Sequence, residues 1–313
     1  MGVSRRFCVV TAIALACASS NTFAQSNLVT VRADTFFRNV TSDVFIQTSD
    51  DQILLFDATY GGVLVLNGHK LTIFAPHAEV NGTVTIKAYA DNTGPPASQG
   101  VGTAGARGGD GGYCGHDGCA GGTGKQGAVG PTGSPGWDAG DVELDIAGLG
   151  GTGMLSIEAI GSRGGRGGRG GRGGNGGSGG GGESRGCGDM FGGGAHGPGN
   201  GGTGGGGGTG GPGGQGGPGG RGGVITYSGG LTSGTGHWHL GWGGGPGGAP
   251  GPGGGAGAGG NGGGMGGGDH CGGGGTNGAD GSDGSGGGEG SPGDRGPRGK
   301  SVCFGALCPR PKP

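Results

Sequence analysis

One third of this chain is glycine, 104 of 313 residues, while hydrophobic residues make up 29% and aromatics 5%. A composition so poor in large apolar side chains excludes an ordinary enzyme-like core over most of the length. With 19 Lys plus Arg against 21 Asp plus Glu, no overall basic excess draws the chain onto nucleic acid.

The first residues, MGVSRRFCVVTAIALACASSNTFAQ, read as a secretory leader: Arg5 and Arg6, an apolar run from Phe7 to Ala18, and small residues before a cut after Ala24. "SRRF" and "ALAC" partly match a twin-arginine signal and a lipoprotein box, and each departs from its pattern. Removing 1–24 leaves 17 basic and 21 acidic residues. No later stretch approaches the ~20 apolar residues of a membrane span. The expected setting is therefore outside the cell, secreted or on the cell surface, with the periplasm as the remaining compartment.

Residues 25–92 differ in composition from the rest of the chain and predict a β-rich domain. Leu71, Ile73 and Ala75, then Val84, Ile86 and Ala88, alternate with polar residues, which is the period of half-buried strands. Asn67-Gly68 and Asn81-Gly82 are turn signals. Short strands between tight turns predict a β-solenoid or a small sandwich. A template recurs in "VTIKAYA" from Val84, "LDIAGLG" from Leu144, "LSIEAIG" from Leu155 and, more loosely, "VITYSGG" from Val224. It suggests a stack of strands from which glycine-rich excursions leave and return.

Segment boundaries follow composition: a glycine-rich segment with a Cys pair over 93–141, a strand repeat over 142–161, a GGX segment over 162–223 and a Trp/His strand over 224–243. A partly collagen-like segment covers 244–300, and a Cys-containing tail without a recognisable sorting motif covers 301–313. Within the excursions the period is three. Gly201 to Val224 reads as eight unbroken GGX triplets, and "SRGGRGGRGGRGGNGG" from Ser162 keeps the same phase. Three residues per turn is the repeat of polyproline-II-type helices. Only 16 of 313 residues are Pro, against the ~15–20% of collagen-like chains, so a collagen triple helix is disfavoured outside roughly the last 25 residues. The alternatives are a polyglycine-II bundle, in which bare backbones exchange hydrogen bonds, and flexible linkers. The expected fold class is mainly β plus glycine-rich polyproline-II or polyglycine-II helices.

Six Cys follow the leader: Cys114, Cys119, Cys187, Cys271, Cys303 and Cys308. An even number in an exported chain predicts disulfides. Closeness in sequence suggests Cys114 with Cys119 and Cys303 with Cys308, leaving Cys187 for Cys271.

The leader, the Ile-rich strand motifs and runs such as "GGTGGGGGTGGPGGQGGPGGRGG" resemble exported bacterial glycine-rich and collagen-like surface proteins. The glycine segments are also similar to the polyglycine-II bundles of phage tail-fibre adhesins and of glycine-rich springtail antifreeze proteins. The resemblance implies structural, adhesive or surface roles and carries no catalytic residue across.

Two residue groups stand out as ligand-binding candidates. Arg163, Arg166, Arg169 and Arg172 fall on one edge of a three-residue helix, about 9 Å apart. No aromatic residue is interleaved for base stacking, which disfavours RNA. The favoured reading is that the row is solvated or pairs with acids such as Asp280, Asp283 and Glu289; the alternative is an exported polyanion, such as an acidic polysaccharide, lipopolysaccharide or extracellular DNA. "GHWHLGWGG" gathers His237, Trp238, His239 and Trp242, either as a sugar-stacking patch or as a strand with alternate residues packed inward. Two His make an incomplete metal site, and "CGHDGC" and "DHC" lack zinc-type spacing, so no metal is expected. "GGTGKQG" at Lys125 has no helix after it and does not form a phosphate loop.

No catalytic constellation stands out, no cofactor is implied, and no enzyme activity is expected. The expected function is an exported structural or adhesive matrix protein that self-associates into oligomers or filaments. An adhesin binding polyanions or glycans is the alternative. Ice binding is a further alternative, weakened by Thr203 and Thr209 forming no row with Arg221.

Overall fold

Alternation of apolar and polar residues is realised as strands in a computed structural model, which describes residues 28–32, 40–49, 52–57, 62–90, 93–95, 100–184, 197–229, 237–267 and 276–305. The leader, Cys187, Cys271 and Cys308 lie outside the described residues. The chain is mainly β, with no α-helix among the described residues.

Thirteen strands form among the described residues. They are β1 (Leu28–Arg32), β2 (Val44–Gln47), β3 (Ile53–Asp57), β4 (Val63–Val65), β5 (Leu71–Asn81), β6 (Thr83–Lys87), β7 (Tyr113–Cys114), β8 (Asp117–Gly118), β9 (Val142–Gly151), β10 (Met154–Glu158), β11 (Val224–Ser228), β12 (His237–Gly241) and β13 (Lys300–Phe304). One sheet runs β1-β3-β5-β9-β11-β13, with β2 beside the first half of β5, and a second runs β12-β10-β6-β4. Every pairing within these two sheets is parallel.

The chain visits the sheets in turn. From β5 it crosses at Gly82 to β6, leaves on a glycine-rich excursion, and returns to the first sheet as β9; β10, β11, β12 and β13 repeat the pattern. Leu71 pairs with Val142, Val142 with Ile225 and Val224 with Lys300, which makes successive turns of 71, 83 and 76 residues. This is a solenoid course, and it differs from a sandwich built of hairpins. Asn67 and Gly68, at φ 51° and 80°, would suit a hairpin turn. Here they carry the chain from β4 in one sheet to β5 in the other.

Leu71, Ile73, Ala75, Val84, Ile86 and Ala88 are all buried, as alternation predicts. They join Leu144, Ile146, Leu155, Ile157 and Ile225 in one core shared by the two sheets. The four template copies divide between sheets. Val84 and Ile86 pair with Leu155 and Ile157, in template register. In the other sheet Leu144 pairs with Tyr227 and not with Val224, because Ser228 fixes a shifted register: its Oγ donates to the Ile146 carbonyl at 2.8 Å and accepts from the Ile146 N–H at 3.0 Å.

Candidate functional site

The excursions belong to neither helix nor sheet over most of their length, yet each is an ordered out-and-back pair. The outward arms are 100–112, 161–184 and 243–267, and the return arms are 118–141, 197–223 and 276–299. Within each excursion the two arms are antiparallel: Ala128 N–H donates to Thr103 at 2.8 Å, Gly211 to Gly171 at 2.7 Å, and Gly287 to Gly254 at 2.9 Å. Between excursions, outward arms bond outward arms in parallel (Gly102 to Arg169 at 2.8 Å, Gly170 to Pro252 at 2.9 Å), and return arms bond return arms (Gly121 to Thr203 and Gly204 to Ala279, each 2.8 Å). The bonds recur every three residues along each arm. Two layers of three arms result among the described residues.

Triplet composition follows from this packing. In the middle outward arm a Cβ at Gly167, Gly170 or Gly173 would overlap the carbonyl of Gly214, Gly211 or Gly208 in the return arm of the same excursion, and one at Gly171 or Gly174 would overlap carbonyls of Thr103 or Ala106. In this central arm both glycines of a GGX triplet are therefore required by backbone approach, and only the third side chain reaches solvent. The collagen-like run is used in the same way: Gly278, Gly281 and Gly284 donate to Gly263, Gly260 and Gly257 of the same chain, at 2.8–2.9 Å.

Polar side chains at third positions bind spare N–H groups of the adjacent arm. Asp110 accepts from Ser178, Asp138 from Arg221, Asp141 from Val224, Asn175 from Ala258 and Asn200 from Thr276, at 2.7–3.1 Å. Asp280 and Asp283 accept from Gly262 and Gly259, at 2.7 and 2.8 Å. They are thus committed to backbone at the edge of the third outward arm, and they do not neutralise the arginine row.

At the tip of the first excursion, β7 and β8 make an antiparallel turn closed by the Cys114–Cys119 disulfide, with Cα atoms 5.1 Å apart. His116 Nδ1 lies 3.0 Å from Glu183 Oε2 of the second excursion. Cys303 also carries a disulfide. Lys125 lies in the first return arm, where its N–H donates to Ala106 at 2.9 Å.

The predicted site residues occupy two separate places. Arg163, Arg166, Arg169 and Arg172 are exposed third positions of the middle outward arm. Arg166 and Arg172 donate through Nε to the carbonyls of Pro250 and Ala256, both at 3.1 Å. Beside Arg169 and Arg172 the first outward arm presents Val101 and Ala104, followed along the same row by Arg107, which pairs with Asp110 at 2.7 Å; on the other side stand Ala249 and Pro252. At the foot of the row is a cavity of about 150 Å³, lined among others by Lys87, Tyr89, Glu158, Ile160, Arg163 and Pro246. Lys87 Nζ stands 3.7 Å from Glu158 Oε2. Tyr89 donates to the Asp138 carbonyl at 2.8 Å, and burial, then the nearby Asp138 charge, raises its phenol pKa above 10.0.

His237, Trp238, His239 and Trp242 lie at β12, the edge of the second sheet. His237 and His239 are exposed, whereas Trp238 packs on Tyr227 with ring centroids 5.4 Å apart, and Trp242 packs against the core. That is the strand alternation, and it does not assemble an open aromatic patch. Among the described residues no group of three or more His, Cys, Asp or Glu is placed to hold a metal ion, and no helix is long and apolar enough to cross a membrane.

Sequence reading missed the exposed set on the return layer. Thr203 and Thr209 are flanked by Ala120, Thr123 and Gln126 of the first return arm and by Ala279, Ser282 and Ser285 of the third. The period of three was the available signal; which arms are adjacent was not in it.

No family model matches the chain, and no curated protein matches it. Among solved structures it is similar to the springtail antifreeze protein from Granisotoma rainieri, described as a nine polyproline type II helical bundle. Identity is 25%, over 58% of this chain and 93% of that one, with a TM-score of 0.13.

Proposed function

We propose that this chain is an exported, non-enzymatic structural or adhesive surface protein, in which polyproline-II-type helices form a two-layer slab mounted on a β-solenoid. The observation that carries the reading is the hydrogen-bond lattice itself. Backbone groups hold the arms together every three residues, so the arms need no apolar core. Every third side chain is left for display. A scaffold of this kind works by presenting repeated groups at fixed spacing, and it needs no pocket chemistry.

Far-UV circular dichroism of the oxidised protein during heating tests this. A polyproline-II-type signal that melts cooperatively, and melts earlier once Cys114–Cys119 and the Cys303 disulfide are reduced, is the expected result. A gradual drift indifferent to reductant means flexible tethers and sinks the reading.

Ice binding is the second reading. It is favoured by small uncharged third positions of the return layer, among them Thr123, Thr203, Thr209, Ser282 and Ser285, which stand at multiples of about 9 Å along each arm. Thermal hysteresis abolished by Thr203→Lys with Thr209→Lys would replace adhesion as the main function; no hysteresis in the unmodified protein removes the second reading.

A further inference from the structure

Four cations at fixed spacing have no acidic partner among the described residues: Arg163, Arg166, Arg169 and Arg172 form no ion pair there with Glu289 or any other acid, and Asp280 and Asp283 are occupied by backbone N–H groups. The Nε bonds of Arg166 and Arg172 to Pro250 and Ala256 hold those side chains over the third outward arm. Among the described residues their terminal guanidinium nitrogens form no ion pair, and part of the ordering entropy of binding is already spent.

We propose that this row is a binding ridge for a sparsely charged acidic polysaccharide, one bearing a single carboxylate in each disaccharide unit. The inference rests on the polyproline-II reading of the arms, which sets the spacing at about 9 Å and the Arg163-to-Arg172 ridge at about 28 Å. Spacing decides the class of ligand. Each strand of a DNA duplex offers a phosphate every ~3.4 Å along the axis, so the ridge would meet only about one in three, and for a single strand no aromatic side chain lies among its flanking third positions to stack a base. A glycan carrying one acid per two sugars presents charge at intervals closer to the ridge's own. Its sugar rings then lie over Val101, Ala104, Ala249 and Pro252. The cavity beside Arg163, with the Tyr89 ring and the Lys87–Glu158 pair in its wall, seats the chain's last sugar.

The test is titration of the oxidised, leader-free protein with hyaluronan oligosaccharides and with single-stranded oligothymidylate, at low and at physiological salt. Hyaluronan binding is expected to be the tighter and to weaken as salt rises. Joint replacement Arg163→Gln, Arg166→Gln, Arg169→Gln and Arg172→Gln is expected to lower hyaluronan affinity at least about tenfold. Absence of hyaluronan binding, unchanged binding by the quadruple variant, or tighter binding of oligothymidylate overturns the proposal. Melting curves on the same samples separate the two levels: a cooperative melt without binding removes the ridge alone, whereas a non-cooperative melt removes the lattice reading and the ridge with it. Should the quadruple variant not fold, Arg163→Gln with Arg169→Gln, which leaves the bonds to Pro250 and Ala256 in place, is expected to cost about threefold, and no loss overturns the proposal equally.

Discussion

Replacing Gly211 by Val is expected to destabilise the protein by more than about 3 kcal/mol, measured by denaturant unfolding followed by circular dichroism. Gly211 donates to the Gly171 carbonyl at 2.7 Å, and its own carbonyl accepts from Gly254 at 2.8 Å. A Cβ there would run into the Ala128 carbonyl oxygen, with the Gly127 carbonyl beside it. All of these obstacles are backbone, and the Ala128 carbonyl also accepts from the Gly171 N–H at 2.8 Å, so no side chain can swing aside. Relief requires parting two arms and leaving buried N–H groups without partners, at about 1–3 kcal/mol for each group. Gln215, an exposed third position of the same arm, is the comparison. Gln215→Val is expected to stay within about 0.5 kcal/mol. Equal losses at the two positions would refute the close-packed lattice.

Leu144→Ala is expected to cost about 2–5 kcal/mol by the same measurement. Leu144 is fully buried in β9, between Ile73 of β5 and Tyr227 of β11, where little can collapse into the space. Its effect should extend beyond the sheets. Each excursion starts and ends on a strand of the solenoid, and the sheet register decides which triplet of one arm faces which triplet of the next. A single transition, lowered as a whole, is the expected outcome. Two separate transitions, with the glycine-rich signal unmoved, would show that the arms hold their register without the core.

Much of the local chemistry was legible in the residues. Alternation gave the inward faces of β5 and β6, Asn67-Gly68 gave a turn with both φ positive, and closeness in sequence gave the Cys114–Cys119 pair. The triplet phase gave which side chains are displayed, including all four arginines. These features depend on spacings of two, three or five residues, and a sequence states them directly.

Neighbours are another matter. A GGX arm slid by three residues makes the same local bonds, so the repeat cannot choose its own register or partner; pairings between strands some 70 to 80 residues apart must do so, along with Asx side chains that reach the next arm. Hence the template copies divided between two sheets, and one pair shifted by three. Hence also Asp280 and Asp283 bound glycine N–H groups and left the arginines unneutralised, while Thr203 and Thr209 acquired flanking rows from arms distant in sequence. The period of three, and the side chains it exposes, can be read along the chain. Which arms lie side by side is settled in three dimensions, because glycine, which allows backbones to touch, carries no side chain to specify which backbone it touches.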